Sequence, residues 1–416
     1  MELKFLWAFI LLTSNTVFAQ EKTFLEAIDS IVARDPRLSS AHAQSDFATV
    51  NHVSRYTAFL PTVSMLARES KDYSLDSQNT LVSAQANLNL WHFGSDFAAL
   101  SAAAFGKTVA EANVEQTTLE IEAQALNALL DYIQMQEEVS IAKKLLESKD
   151  ESLKLTEERF QRGLNPEQEV LKAQVDLANA KARLSNLEIE QQTANAQVKS
   201  LLGDSEVSPK WPWIEKLNST HALEFAQDFE QIGQRPDLRK LEAQMFVEQN
   251  FSKKSWREIF PSLDLSVERQ MNHPKGLNRD YDTTAALTLT MPIFEGLSDY
   301  RNYREQDTQS IIAQNLLDKA TRDVEGQLAG QKINYQQALT TARNRYDVLA
   351  LSRKLYRQNF ERFRSGRADF NTLELDQNRY LESEQLASQG WKNAHKAFGE
   401  LCLATGRRLK DCLGTL

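Results

Sequence analysis

The sequence of 416 residues has few of the features that usually mark a catalytic site. Its six histidines are scattered and do not have the spacing of metal ligands. No serine lies in a G-x-S-x-G elbow, and "AAAFGKT" (102–108) lacks the first glycine of a phosphate-binding loop. These absences argue against a hydrolase, a metalloenzyme and a nucleotide-driven machine. We therefore expect neither catalysis nor a cofactor.

Long apolar runs are also lacking. The run Phe5–Leu12 is shorter than the roughly 20 residues that cross a bilayer as a helix. It follows Lys4 and precedes Val17-Phe18-Ala19, which is the order of a secretory signal peptide with a small-residue cleavage site. We expect residues 1–19 to be removed and the mature chain to begin at Gln20. Export without a helical anchor leaves the periplasm, the exterior or an outer-membrane barrel as destinations.

Cysteine is nearly absent, with only Cys402 and Cys412 near the C-terminus. Neither follows the expected cleavage site, where a lipid-modified cysteine would stand. In an oxidising compartment the two could form a local disulfide, and two free thiols are the alternative that the sequence leaves open. The formal net charge of −9 argues against nucleic acid as a general partner.

What the chain does contain is an internal repeat, in which landmarks recur at an offset of 200 to 203 residues. The pairs are "FLP" and "IFP" ending at Pro61 and Pro261, "LWHFG" and "PIFEG" ending at Gly94 and Gly296, "RFQRG" and "RFRSG" ending at Gly163 and Gly366, and "LLG" and "ATG" ending at Gly203 and Gly406. A repeat of this length contains a whole subdomain. We predict a first repeat over 20–203, a connector over 204–220, a second repeat over 221–406 and a tail over 407–416.

Each repeat contains two segments in which apolar and polar residues alternate, as in a β-strand with one apolar face. The predicted strands are 62–67, 81–90, 262–267 and 284–291, with charged loops over 68–80 and 269–282. Aromatic residues stand at the ends of the strand pairs, namely Phe59, Trp91, Phe93, Phe260 and Phe294. The residues predicted to face lipid are Val82, Ala84, Ala86, Leu88, Leu90, Leu263, Leu265, Val267, Leu287 and Leu289.

Strands whose apolar side faces lipid typically alternate apolar and polar residues and carry aromatic residues at both ends. The alternative is a soluble sandwich with an apolar interior, but four strands interrupted by long helices cannot build one. A bacterial barrel needs at least about eight strands, because lipid cannot satisfy the backbone groups of an open edge. One chain has four predicted strands, so several copies would share the barrel.

The segments from Gly94 to Gly163 and from Gly296 to Gly366 contain no proline and are rich in Ala, Glu, Gln and Leu. We predict a helix on the order of 100 Å long in each, and a return helix with a heptad pattern after each glycine. Gly163 and Gly366 are typical of C-cap glycines. Each repeat would then contribute a helical hairpin with its tip at the glycine, at the opposite pole from the strands.

These repeated elements resemble TolC-type outer-membrane efflux proteins. The resemblance rests on the duplication, the "LP" before a strand pair, the glycine at its end, and "RFQRGLNPEQEVLKAQVDL" (159–177). It implies a mixed α+β membrane protein, a homotrimer whose copies share a twelve-stranded transmembrane β-barrel continued by a long α-helical coiled-coil barrel across the periplasm. It also implies docking to a periplasmic adaptor (membrane fusion) protein and an inner-membrane transporter.

The resemblance further implies a closed periplasmic entrance, with acidic residues and bonds between hairpins six and nine residues beyond the hairpin glycine. This chain departs from that pattern, since the four positions hold Glu169, Lys172, Thr372 and Leu375. The gate candidates are therefore Asp376, Glu374, Asp369 and Glu169. We prefer Asp376, because the heptad turns it toward its neighbours, and three such carboxylates around an axis would attract cations. The alternative is solvated tip charges that pair with Arg362, Arg364 and Arg367.

The sequence thus predicts a passive exit duct of a tripartite efflux or type I secretion assembly, opened by adaptor binding. Drugs, metal ions or a secreted polypeptide could be the cargo. One alternative is a periplasmic coiled-coil adaptor or scaffold protein, which would explain the hairpins but not the alternating strands. A secreted enzyme is the other, and it lacks the necessary site chemistry.

Overall fold

A computed structural model describes residues 23–72, 77–203, 234–271, 282–294 and 296–414. The expected signal peptide and the connector over 204–220 lie outside these residues. The chain divides into two compact units. Among the described residues, the hairpin unit comprises 23–34, 125–203 and 341–392, and the sheet unit comprises those within 35–124, 234–340 and 393–414.

From the helix before the strand pair to the return helix, the two repeats contain helices and strands in the same order. The first repeat has α1 (Phe24–Arg34), α2 (Pro36–Ser54), a 3-10 turn (Arg55–Phe59), β1 (Thr62–Asp72), β2 (Ser77–Trp91), α3 (Ser95–Gln161) and α4 (Glu167–Leu202). The second has α5 (Pro236–Arg257), β3 (Ser262–Gln270), β4 (Asp282–Thr290), α6 (Ser298–Arg364), α7 (Phe370–Ala404) and a short α8 (Leu409–Gly414). Both α3 and α6 contain 67 residues. Of the helices in these ranges, none has both the length and the apolar composition needed to cross a membrane.

The four strands form one antiparallel sheet in the order β1-β2-β3-β4. Pairing between β2 and β3 joins the two repeats. The strands are longer than predicted, since the ladder continues beyond Ala67↔Val82 through Arg68↔Leu81 to Asp72↔Ser77. Backbone pairing needs no apolar side chains, so a pattern of hydrophobicity underestimates strand length here. Residues 68–72, 77–80, 269, 270 and 282 of the predicted loops therefore belong to strands, and residues 73–76 and 272–281 lie outside the described residues.

The register puts the alternating apolar residues on one face of this sheet, because directly opposed residues point to the same side. Val63, Ala86, Val267 and Ala285 form a row across all four strands. The next row contains Leu88, Leu265 and Leu287. Polar residues such as Asn87 and Ser266 pair on the other face.

A β-bulge corrects the expectation for Leu90. Asn89 pairs with Asp264 and Trp91 pairs with Leu263, so Leu90 is the extra residue. The bulge shifts Trp91 into the apolar row that strict alternation assigns to Leu90. The side chain of Trp91 is 53% exposed there.

Each long helix ends in a Schellman motif. The amide of Gly163 donates to the carbonyl of Phe160 and the amide of Leu164 to that of Arg159, over 2.8 and 2.9 Å. Gly366 and Arg367 donate to Phe363 and Arg362 in the same way. Both glycines have positive φ, 72° and 75°, which is the conformation that other residues adopt only with strain.

The heptad of α7 is a buried seam. Its buried members include Leu373, Asp376, Ser383, Ala387, Ala394, Ala397, Leu401 and Ala404. Gly390 belongs to the same series, and an added Cβ there would lie 3.2 Å from the Cα of Ala342. Small residues therefore allow α6 and α7 to approach closely.

In each repeat an arginine close before the helix that starts with proline binds the last carbonyl of the return helix. Arg34 donates to the carbonyl of Leu202 over 2.8 Å, and Arg235 donates to that of Ala404. The glycine that follows each helix has positive φ. At Gly406 an added Cβ would lie 2.9 Å from Cγ of Arg235 and 3.1 Å from its Cα.

The C-terminal helix α8 is fixed by two interactions. Cys402 and Cys412 form a disulfide, which decides between the two alternatives for the cysteines. The buried carboxylate of Glu122 accepts a hydrogen bond from the amide of Leu409 over 2.9 Å and pairs with Arg408. A carboxylate at the N-terminus of a helix is also favoured by the helix dipole.

Replacing Gly406 with Ala should lower stability by about 1 to 3 kcal/mol, because the new Cβ meets Arg235 and the φ of 81° is strained for Ala. The control is Gly330→Ala within α6, where no atom lies within 4 Å of the added Cβ. That change should stabilise the helix by about 0.5 to 1 kcal/mol. Thermal unfolding followed by circular dichroism measures both, and equal shifts of the two midpoints would contradict the prediction.

Candidate functional site

The tips of the two hairpins meet around a buried apolar cluster in the hairpin unit. The cluster contains Ala173, Phe363, Phe370 and Leu373, and the partly buried side chains packed against it are Leu153, Leu155, Tyr356, Phe360 and Ala368. These residues come from α3, α4, α6 and α7 and from the turn before α7. Burial of apolar surface therefore holds the hairpins together close to their tips.

Arg159 connects α3 to the end of α6. Its guanidinium lies 4.6 Å from the centre of the Phe363 ring and donates to the Phe363 carbonyl over 2.6 Å. Its Nε donates to Oδ1 of Asn165 over 3.0 Å. The helix dipole favours a cation near the C-terminus of α6, and the aromatic ring adds a cation–π interaction.

Lys172 is the main polar link between the hairpins. Its Nζ lies 2.7 Å from Oε2 of Glu374 and 2.9 Å from Oδ1 of Asn371, so α4 is bonded to α7. The hydrogen bond from Glu374 raises the pKa of Lys172. Lys172 is one of the three residues that depart from the acidic pattern of the resembling family, and in this chain it supplies the cation of the link.

Asp376 lies inside its own hairpin and is 4% exposed. Its carboxylate accepts a hydrogen bond from Asn359 on α6 and lies 3.4 Å from Nη1 of Arg379. This placement differs from the expectation that Asp376 faces neighbouring copies. A heptad position faces the partner helix, and in a hairpin that partner is the other arm.

Asp369 and Glu169 occupy the starts of the return helices. Asp369 is the N-cap of α7, and its Oδ1 accepts a hydrogen bond from the amide of Thr372 over 2.7 Å. Hydrogen bonds from Thr372 lower the pKa of Asp369. Glu169 lies in the first turn of α4, where the helix dipole favours a carboxylate.

Arg362, Arg364 and Arg367 surround Gly366 and are exposed. Within the described ranges no carboxylate pairs with any of the three. The alternative from the sequence pairs these arginines with acids of the tip. Glu374 and Asp376 have other partners, since Glu374 binds Lys172 and Asp376 binds Arg379. Sequence reasoning missed Arg159 and Asn359 as tip contacts. Arg159 begins the repeated "RFQRG" motif, but the motif does not show which helix end its side chain meets, and Asn359 stands in none of the repeated motifs.

Aromatic residues meet at one end of the four-stranded sheet. Phe93 stacks on Phe260 with ring centroids 4.2 Å apart, and Trp91 lies edge-on to Phe93 at 6.4 Å. Trp256 lies edge-on to Phe260 at 6.0 Å. Phe294, which follows β4, is 80% exposed. Exposed aromatic rings at strand ends are typical of a membrane interface.

Residues 27–204, which span the first repeat, match the profile of the family described as outer membrane efflux protein. The match confirms the resemblance that the repeated motifs indicate. No curated protein matches the chain.

Several solved structures have the same fold. The outer-membrane channel OprN is 17% identical, with a TM-score of 0.77 over 92% of this chain and 89% of its own. VceC from Vibrio cholerae is 16% identical, with a TM-score of 0.79 over 92% and 96%. CusC, described as forming a transmembrane channel, is 13% identical, with a TM-score of 0.82 over 94% of both chains. The predicted fold class is confirmed, because long helical hairpins with a small antiparallel sheet are the fold of these channels.

Replacing Asp369 with Ala should lower stability by about 1 kcal/mol near neutral pH, because the N-cap of α7 is lost. Asp369→Asn keeps a capping side chain and is the control. Since folding lowers the pKa of Asp369, its stabilising effect is present above the ordinary value of 3.8 and is lost as the pH falls through the folded value. The difference in thermal midpoint between wild type and Asp369→Ala should therefore shrink in acid. A difference that stays constant with pH would contradict this assignment.

Proposed function

We propose that the chain is the outer-membrane channel of an efflux or type I secretion assembly, acting as a homotrimer without catalysis. The match of residues 27–204 to outer membrane efflux proteins and the fold shared with outer-membrane channels are the premise. The observation that carries the proposal is the apolar face that runs in register across all four strands of a sheet with two open edges. Both the fold and the family match favour a channel over a periplasmic adaptor.

The open edges support sharing of one barrel. In the part of the sheet that is described, β1 pairs only with β2 and β4 only with β3. In hydrocarbon each unsatisfied backbone group costs several kcal/mol, so these edges need partners. Pairing β4 of one copy with β1 of the next keeps every neighbour antiparallel, because the four strands alternate in direction. Three copies give twelve strands, an even number as in bacterial barrels.

The exposure of the apolar face supports contact with lipid. Val63, Met65, Leu287 and Leu289 are between 63% and 76% exposed. A soluble sandwich would cover these side chains with a second sheet. The stacked aromatic residues at the sheet end would lie at the lipid headgroups.

The contacts at the hairpin tips support a gate. Lys172 with Glu374 and Arg159 with the Phe363 carbonyl join the two hairpins of one chain. In this proposal the hairpins have a joined and a separated arrangement. A periplasmic adaptor binds the separated arrangement more tightly than the joined one and so shifts the population toward it. An inner-membrane transporter supplies the energy for transport. Solutes then leave passively through the duct.

Leu265→Arg should prevent stable assembly in the outer membrane, because Leu265 lies in the apolar row between Leu88 and Leu287. An arginine on the lipid face costs about 2 to 4 kcal/mol at the midplane. Ser266→Arg, one residue further on the other face, is the matched control and should be tolerated. Carbonate extraction and the amount of trimer in mild detergent measure the effect. Equal loss in both variants, or extraction of the wild type by carbonate, would contradict the lipid assignment.

Lys172→Glu should raise the conductance of the protein in planar bilayers, because it replaces the link to Glu374 with repulsion. A trimer would contain three of these salt bridges. Loss of about 0.5 kcal/mol at each would shift the equilibrium about tenfold toward the open state. The double variant Lys172→Glu with Glu374→Lys should restore low conductance. Lys154→Glu, which disturbs a pair within α3, is the control and should leave conductance unchanged. Failure of the double variant to restore the closed state would remove this pair from the gate.

A further inference from the structure

The tips of the two hairpins differ strongly in charge. Residues 353–367 at the end of α6 contain six basic residues and one acidic residue, a net charge of +5. The equivalent residues 150–164 at the end of α3 contain three basic and four acidic residues, a net charge of −1. The whole chain has a net charge of −9, so the second tip is a basic island on an acidic protein.

The turn itself does not require this difference. Both tips have the same Schellman hydrogen bonds and a glycine with positive φ. Charges nevertheless change at equivalent positions, listed as first and second repeat: Asp150 and Arg353, Glu151 and Lys354, Gln161 and Arg364, Leu164 and Arg367. The geometry of the turn therefore does not account for the basic residues.

The acids near this tip do not neutralise it. Asp369 caps α7, Glu374 binds Lys172, and Asp376 is buried against Asn359. All six basic side chains of residues 353–367 are exposed. Over the ranges that the structure covers, five of them have no carboxylate partner, and Arg353 lies over the ring of Tyr380 at 5.8 Å. The field around the tip of the second hairpin is thus positive.

Three of these arginines form a stripe. Arg353, Arg357 and Arg364 are spaced by four and seven residues on α6, which puts them on one face of the helix. Leu351 and Leu355, 70% and 40% exposed, lie on a different face of the same helix. In a trimer the apolar face is suited to contact with a neighbouring copy, and the arginine stripe is suited to water.

We propose that the stripe of Arg353, Arg357 and Arg364 lines the entrance of the duct and makes it select small anionic solutes over cations. This inference rests on the proposed trimeric channel, in which the hairpin tips surround the entrance. Rings of arginine and lysine are the usual basis of anion selectivity in pores. Fields of this kind act over about 8 to 10 Å at physiological ionic strength, which is enough to bias the ions that enter a narrow mouth. The selectivity is opposite to that of a ring of Asp376 carboxylates.

The test is the reversal potential of single channels in planar bilayers under a KCl gradient. All variants are compared in the Lys172→Ala background, in which we expect the hairpins to be released. The parent should pass chloride in preference to potassium. The triple variant Arg353→Gln, Arg357→Gln and Arg364→Gln should move the permeability ratio toward or beyond parity. The matched control removes three exposed cations earlier in the same helix, Arg301→Gln, Lys319→Gln and Arg322→Gln, and should leave the ratio unchanged.

Lysine at the three stripe positions should preserve the anion preference, because only the charge is needed. The difference between parent and triple variant should also shrink at high salt, where screening is strong. A conducting parent without anion preference, or a triple variant that behaves like the control, would overturn this inference alone. A protein that inserts no channels would overturn the proposed function instead.

Discussion

The two outer edges of the four-stranded sheet place the strongest constraint on this protein. Each repeat supplies one strand pair, and in the described part of the sheet the pairing of β2 with β3 joins the two pairs. If the sheet lies in lipid, as proposed, the backbone groups on the outer sides of β1 and β4 need partners, because an apolar surrounding offers none. An apolar face in register across the sheet would otherwise be an aggregation hazard. In the proposed membrane setting, the same edges would make association of copies a condition of the fold.

The duplication supplies two copies of one scaffold, and the scaffold is what the repeats retain. The glycine of each tip and the arginine that closes each return helix are present in both. The other side chains of the two hairpin tips have diverged, because surface positions are free to change once the backbone is fixed. Lys172 in one hairpin and Glu374 in the other can pair because equivalent residues no longer match. Divergence of the repeats thus created both the link between hairpins and the basic tip.

Sequence patterns predict this fold well where the pattern is a direct consequence of backbone geometry. Alternation with period two identified all four strands, and the glycines marked the ends of the long helices. The bulge at Leu90 was missed, because one extra residue changes register without changing composition. Strand ends were missed because polar pairs continue the ladder beyond the apolar rows. Side-chain roles at the tip were the least predictable, since they depend on which of several helices lies opposite.

The placement of Asp376 illustrates this last point and bears on how a gate could move. A buried carboxylate is tolerated only with partners, and Asn359 and Arg379 provide them within one hairpin. Lys149 and Asp176 form a similarly enclosed pair in the other hairpin, 3.2 Å apart.

The charged contacts between the hairpins are of a different kind. Two salt bridges, Lys172–Glu374 and Lys144–Glu384, each contain one half-exposed side chain. The hydrogen bond from Arg183 to Gln385 lies at the surface. Water can replace such bonds at little cost, whereas opening a buried pair leaves a charge without solvent. Among the charged contacts, those between the hairpins therefore cost the least to separate. Opening of the proposed gate would also have to separate the buried cluster of Ala173, Phe363, Phe370 and Leu373.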